Sequence, residues 1–289
     1  RAFTTNAGDP RYRSLAALTY RDGGTSRTTP VPGGDVFHQF RADVAAGTLP
    51  AVSWLVAPEN FSDHPGAPWY GAWYVSETLD ILTKNPDVWK KTIFILCYDE
   101  NDGYFDHVPP FVPPHPDRPA TGKVSAGMHT GVEWSNAHGR DSAVGLGFRV
   151  PLVVASPWSR GGWVNSQVAD HTSVLRFLET WLTAKGRRVT ETNIGDWRRT
   201  ICGDLTSAFR PYDGAPIALP TPLGRDATVE RIHAARTRER PRGGAALSPD
   251  EVSRMNVGAL QEAGTRPSCA LPYELVVNAE RIADGLRLV

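Results

Sequence analysis

Seven residues, TIFILCY at 92–98, run without a charge into the acidic stretch DENDGYFD. The run is continuous rather than alternating, so it reads as a central strand covered on both faces. Covering both faces takes a layered domain, which points to an α/β architecture. Asp99, Glu100, Asp102 and Asp106 crowd in behind the strand, and His107 follows at once. Clustered carboxylates at a strand end need a cation or several donors to offset their repulsion.

The flanking segments support the layered reading. Residues 1–48 are polar and punctuated by Gly and Pro, with one helix predicted over DVFHQFRADVAAG and ended by Gly47. LPAVSWLVAP reads as a buried strand bounded by prolines. YGAWYVSETLDILTKN carries Ala72, Val75, Leu79 and Leu82 at helical spacing, and Asn85-Pro86 stops it. After TIFILCY comes a Pro-, His- and Gly-rich excursion over about 101–147, then a third strand in RVPLVVASPW.

DHTSVLRFLETWLTAKG is the clearest helix. Asp170 or Thr172 can cap it, Val174, Leu175, Leu178, Trp181 and Leu182 share a face, and Gly186 follows its end. The element order predicts a mainly parallel sheet with flanking helices. In such sheets sites collect at the carboxyl ends of strands, where the loops SDHP, DENDG and SPWSRGG would converge. From 203 to 289 the pattern dissolves. Helices are possible at DATVERIHAARTRER and SPDEVSRMNVGALQEAG, a strand in PYELVVNAERIADGLRLV, and the whole reads as an extension that wraps the domain or is partly disordered.

Composition excludes some functions. Lys and Arg total 31, as do Asp and Glu, so nothing marks a basic nucleic-acid binder. No apolar run approaches the roughly 18 residues of a membrane span. The 9 Trp and 24 Pro favour a site built from rigid, aromatic-lined loops. Cys97 reads as a core residue. A Cys202–Cys269 bridge would close a long loop, contributing about 4 kcal/mol in the chain-entropy model, and would require an oxidising compartment; two free thiols fit equally well.

Asp99 and Glu100 suit a hard divalent cation such as Ca²⁺ or Mg²⁺. On a straight strand they would point to opposite faces, so both can meet one ion only if the chain turns, and NDG supplies that turn. The alternative is a solvated acidic turn. An EF-hand is excluded, because Gly103 is fifth from Asp99 rather than sixth, and HExxH and CxxC patterns are absent. His64, in the loop after the preceding strand, could face Asp99 and donate to a phosphoryl oxygen or act as an acid; it could equally be a loop histidine held by Asp63. His107 beside Asp106, and His171 at a predicted helix N-terminus, carry similar alternatives as an ion pair and a cap.

YDENDGYFDHVPP resembles the signature of the bacterial phospholipase C and acid phosphatase family of phosphoesterases. SDHP, YGAWYVSETLDIL, VPLVVASPWSRGGWV and DHTSVLRFLE agree in order. The likeness spans roughly 35–205 and is nearest to mycobacterial-type phospholipases C. It implies an alkaline-phosphatase-like α/β fold, cleavage of phosphatidylcholine to diacylglycerol and phosphocholine at a membrane surface, and export to the envelope or medium. It implies metal-ligand roles for Asp99 and Glu100, a phosphate-contacting role for His64, and supporting roles for His107 and His171. Trp69, Trp73, Trp134, Trp158 and Trp163 are candidates for a choline cage.

That family's upstream ENRSFD-like metal motif and its Ser or Thr nucleophile are not recognisable here, and Glu59-Asn60 of PENFSD lies in the later loop. The chain therefore reads as the C-terminal part of such an enzyme. Residues 1–202 would belong to the catalytic domain and 203–289 to the extension, and the missing parts count against turnover by this chain alone. A phosphomonoesterase, or a non-catalytic remnant that binds metal or phospholipid, are the other readings.

Overall fold

The computed structural model describes residues 17–22, 25–30, 36–57, 61–62, 68–103 and 110–212, with short stretches beyond that include 248–250, 269–270, 279–282 and 285–288. The chain divides into two compact units, 1–92 with 219–242 and 93–218 with 243–289.

In the first unit, β1 (Ala17–Asp22) and β2 (Thr25–Pro30) pair antiparallel from Ala17↔Pro30 to Asp22↔Thr25. The sequence reading has no strand here. Its signal is Gly23-Gly24 between two six-residue runs, the spacing of a two-residue hairpin. Helix α1 (His38–Ala46) forms where expected and ends on Gly47, whose φ of 67° lets its N–H reach back to the Asp43 and Val44 carbonyls.

Helix α2 (Pro68–Thr83) meets α1 through aromatic side chains. The Phe37 ring lies 4.5 Å from Tyr74 and 5.9 Å from Trp73, and Phe61 lies 5.5 Å from Trp73. Arg41 pairs with Glu77. Asn85 joins the helices twice: its Nδ2 donates to the Val44 carbonyl at 2.9 Å, and its Oδ1 caps the short α3 (Pro86–Trp89).

LPAVSWLVAP does not form the expected buried strand. Only Val56 sits in an isolated bridge, and Val52, Trp54 and Val56 are about half exposed, Trp54 at 59%. An apolar run becomes a buried strand only when a ladder partner and a covering layer meet it, and the described residues supply neither.

In the second unit, β3 (Phe94–Cys97) pairs with β6 (Leu152–Ala155) in the register Phe94↔Ala155 to Cys97↔Leu152. The pairing is antiparallel, as in the other ladders among the described residues: β1 with β2, β4 (Trp134–Ser135) with β5 (Ser142–Ala143), and β7 (Ala279–Ile282) with β8 (Gly285–Leu288). This differs from the predicted parallel order. A parallel partner needs a crossover, usually helical, and the described residues between β3 and β6 hold only 3₁₀ turns and the β4–β5 ladder. The β3 side chains are half-buried, and Val153 on β6 is exposed. The strand is therefore not covered on both faces by the described residues.

Helix α4 (His171–Ala184) follows the sequence closely. Asp170 caps it, accepting from the Ser173 N–H while the Ser173 hydroxyl accepts from the Asp170 N–H at 3.0 Å, a reciprocal capping box. Phe177 stacks on Phe209 at 5.2 Å, although Leu175 turns outward. Helix α5 (Asp196–Ile201) has no counterpart in the sequence reading; it buries Trp197 and sends Arg199 to Glu179 at 2.8 and 3.0 Å. The chain stays packed beyond 203: Gly203 N–H donates to Val168, and Arg210 N–H to Trp158. The helices expected at 226–240 and 248–264 fall almost wholly outside the described residues.

All three thiols are free, and Cys202 and Cys269 are buried. Burial, with the Asp170 charge adding to it, pushes the Cys202 thiol up to about 12. Alkylation at pH 8 should leave native Cys202 unmodified, and alkylation in denaturant without reductant should give three adducts by intact mass.

The Arg199 hydrogen bond lowers the Glu179 carboxyl from 4.5 to about 2. A depressed carboxylate stabilises the fold above its unfolded pKa and loses that effect as pH falls through the folded value. The difference in urea midpoint between the wild type and Glu179→Gln should therefore be present at pH 7 and close between about pH 4.5 and 2.

Candidate active site

β3 stops at Cys97, and the ladder extends one step further, with Tyr98 N–H donating to the Pro151 carbonyl at 3.2 Å. The chain then bends at Asp99 and Glu100 and turns at Asp102 and Gly103, whose φ values are 54° and 75°. Gly103 takes this left-handed conformation freely and Asp tolerates it. The two carboxylates thus lie beyond the strand, where pleat alternation does not separate them. Both are exposed, and among the described residues neither has a hydrogen-bond or ion-pair partner.

His171, the first residue of α4, reaches this strand end. Its Nε2 lies 2.8 Å from the Tyr98 carbonyl oxygen. A carbonyl only accepts, so Nε2 carries a proton and donates it to that oxygen. The ring is exposed. Of the sequence-predicted residues, His171 thus rests on the backbone carbonyl of the residue that precedes Asp99 and Glu100. His64 and His107 lie outside the described residues.

The local field is negative. Burial first, then the charges of Asp99 and Asp170, push the Cys97 thiol up. Asp170 itself joins a buried cluster that sequence reasoning missed. Arg198 on α5 donates to Asp170 Oδ2 at 2.6 Å, to both Glu133 oxygens at 2.8 and 2.7 Å, and to the Gly145 carbonyl at 2.6 Å. Glu133 and Asp170 side chains are 3% and 5% exposed and Arg198 16%. Burial opposes the guanidinium charge, but the two carboxylates outweigh it and hold Arg198 above its ordinary value. Arg198 lies 65 residues from Glu133 and 28 from Asp170, and no motif in DWRRT marks it.

Two expectations need correction. Because β3 and β6 are antiparallel, SPWSRGG leaves the ladder at the Phe94 end, opposite DENDG. The neighbours of DENDG are Pro151 and His171 instead. The aromatic cage also loses support: Trp73 packs in the first unit's aromatic core, and Arg210 already covers the Trp163 face at 3.7 Å.

Asp99 and Glu100 fit a hard cation in donor type, with oxygens that no described residue engages. They fit as part of a site, since no group of three or more potential ligands occurs among the described residues.

The phosphoesterase family model matches residues 16–183, more than half of the chain, and the chain belongs to that family. A non-hemolytic phospholipase C of Pseudomonas aeruginosa is 44% identical over 255 residues, 85% of this chain and 34% of the relative. Phospholipase C A of Mycobacterium tuberculosis is 43% identical over 173 residues, 59% of this chain and 31% of the relative. Non-specific phospholipase C6 of Arabidopsis thaliana is 27% identical over 214 residues, 68% and 38% respectively. The chain thus spans about a third of the length of these curated relatives. The likeness read from the motifs is established for the family, with mycobacterial phospholipases C among the relatives.

Removing Glu133 leaves Arg198 paired with Asp170 but takes away the carboxylate that accepts from its Nε and Nη2 donors. Glu133→Leu should lower unfolding free energy by about 2 kcal/mol, measured from urea midpoints at constant m.

Proposed function

We propose that this chain is part of a phospholipase C that cleaves phosphatidylcholine-type lipids to diacylglycerol and phosphocholine. The observation that carries the reading is His171 resting on the Tyr98 carbonyl, next in sequence to two exposed carboxylates that have no partner among the described residues, in a chain of the phosphoesterase family. Relatives named phospholipase C support the reaction class. On this reading residues 1–202 belong to the catalytic domain, within the larger alkaline-phosphatase-like sheet that the family resemblance implies. Residues 203–289 form its extension, and the enzyme works at a membrane surface in the envelope or outside the cell. No helix among the described residues is long and apolar enough to cross a membrane.

Asp99 and Glu100 would hold a divalent cation, which when bound supplies Lewis-acid stabilisation to phosphoryl oxygens. His171 keeps its Nε2 proton on the Tyr98 carbonyl, so the ring is anchored while Nδ1 remains free to take a proton at the strand end. His64 and His107 would contact phosphate from the loops that carry them. The nucleophile would come from the part of the relatives this chain does not match.

The test measures two things. Phosphocholine release from phosphatidylcholine vesicles should exceed an Asp99→Ala control if the chain is active, and a soluble aryl phosphate turned over faster than the vesicles would reassign it as a phosphomonoesterase. Calorimetric Ca²⁺ or Mn²⁺ binding should weaken at least tenfold in Asp99→Asn/Glu100→Gln. Unchanged affinity in the double variant would remove these carboxylates from the site.

A further inference from the structure

We infer that Arg198 is a positioning residue: it sets the N-terminus of α4 so that His171 stays docked on the Tyr98 carbonyl beside Asp99 and Glu100. The inference deepens the proposed function and rests on that reading for its catalytic meaning, but the geometry stands on its own.

The path is short and continuous. Asp170 uses its two oxygens for two tasks. Oδ1 caps α4, accepting from the Ser173 N–H at 3.2 Å and the Thr172 hydroxyl at 2.6 Å, while Oδ2 accepts from Arg198 at 2.6 Å. The residue that starts the helix and orients His171 is therefore itself held by the guanidinium. Arg198 is fixed in turn on its other side by the bidentate pair with Glu133 and by the Gly145 carbonyl.

Gly145 is built for that role. Its φ of 55° favours glycine, and a Cβ there would lie 2.8 Å from the Phe111 carbonyl oxygen. The excursion loop, α5 and the α4 cap thus meet at one planar, five-donor group. Lysine could not reproduce this, since its ammonium is a point charge without the fork.

A merely structural ion pair exists next door for comparison. Arg199, on the same helix, pairs with Glu179 in the body of α4 and makes no contact with Asp170 in the structure.

The experiment follows the His171 ring in ¹⁵N-histidine-labelled protein at pH 8.5. The His171 Nε2–H cross-peak is assigned by its disappearance in His171→Gln. The wild type should show a protected ring N–H. Arg198→Met should speed its exchange at least tenfold, and Arg198→Lys should fall between. Arg199→Met should leave it unchanged while still lowering Tm. If Arg198→Met does not fold, Asp170→Asn, which keeps the capping oxygen and removes the charge facing Arg198, should give the same loss.

Three results would overturn the inference: a protected N–H in Arg198→Met, or in Asp170→Asn where that stands in for it; equal loss in Arg199→Met; or no protected N–H in the wild type. The readout needs no turnover, so absent phosphocholine release would sink the functional reading without deciding this one.

Discussion

Two buried carboxylates closed around one guanidinium tie together three segments of the second unit. Glu133 and Asp170 carry two negative charges into surroundings that penalise them, and Arg198 compensates with a fork that satisfies both. The triad keeps a net charge of −1, close to a strand end that presents two further carboxylates. Loop, helix cap and α5 meet at Arg198, and leaving the guanidinium out would strand two buried carboxylates.

Strand direction is the second constraint. In a parallel sheet the loops after β3 and β6 would share one edge. The antiparallel register sends them to opposite ends of the ladder, so the surroundings of DENDG come from the segment before β6 and from the start of α4. The candidate site is consequently narrower than the sequence suggests: among the described residues it is an acidic bend, a backbone carbonyl and a histidine that donates to that carbonyl.

Local signals were legible where a single segment carries them. Gly47, Asn85-Pro86, Asp170 and Gly186 mark helix boundaries because capping and φ preferences act over a few residues. The NDG turn was readable for the same reason, and it releases Asp99 and Glu100 from strand alternation. LPAVSWLVAP misled because apolar composition says only that burial would be favourable, not that a partner exists. Helix α5 was missed because six residues carry too little periodicity to stand out.

The sequence by itself determined the family, the extent of α4, the β3 and β6 segments and the acidic turn that follows β3, since each depends on contiguous residues. Only the tertiary structure decided that β3 and β6 run antiparallel, that His171 rests on Tyr98, and that Arg198 links Glu133 to Asp170. Those contacts join residues tens of positions apart. Their geometry depends on how backbone carbonyls and buried charges are satisfied once the chain has closed, a requirement that leaves no local trace.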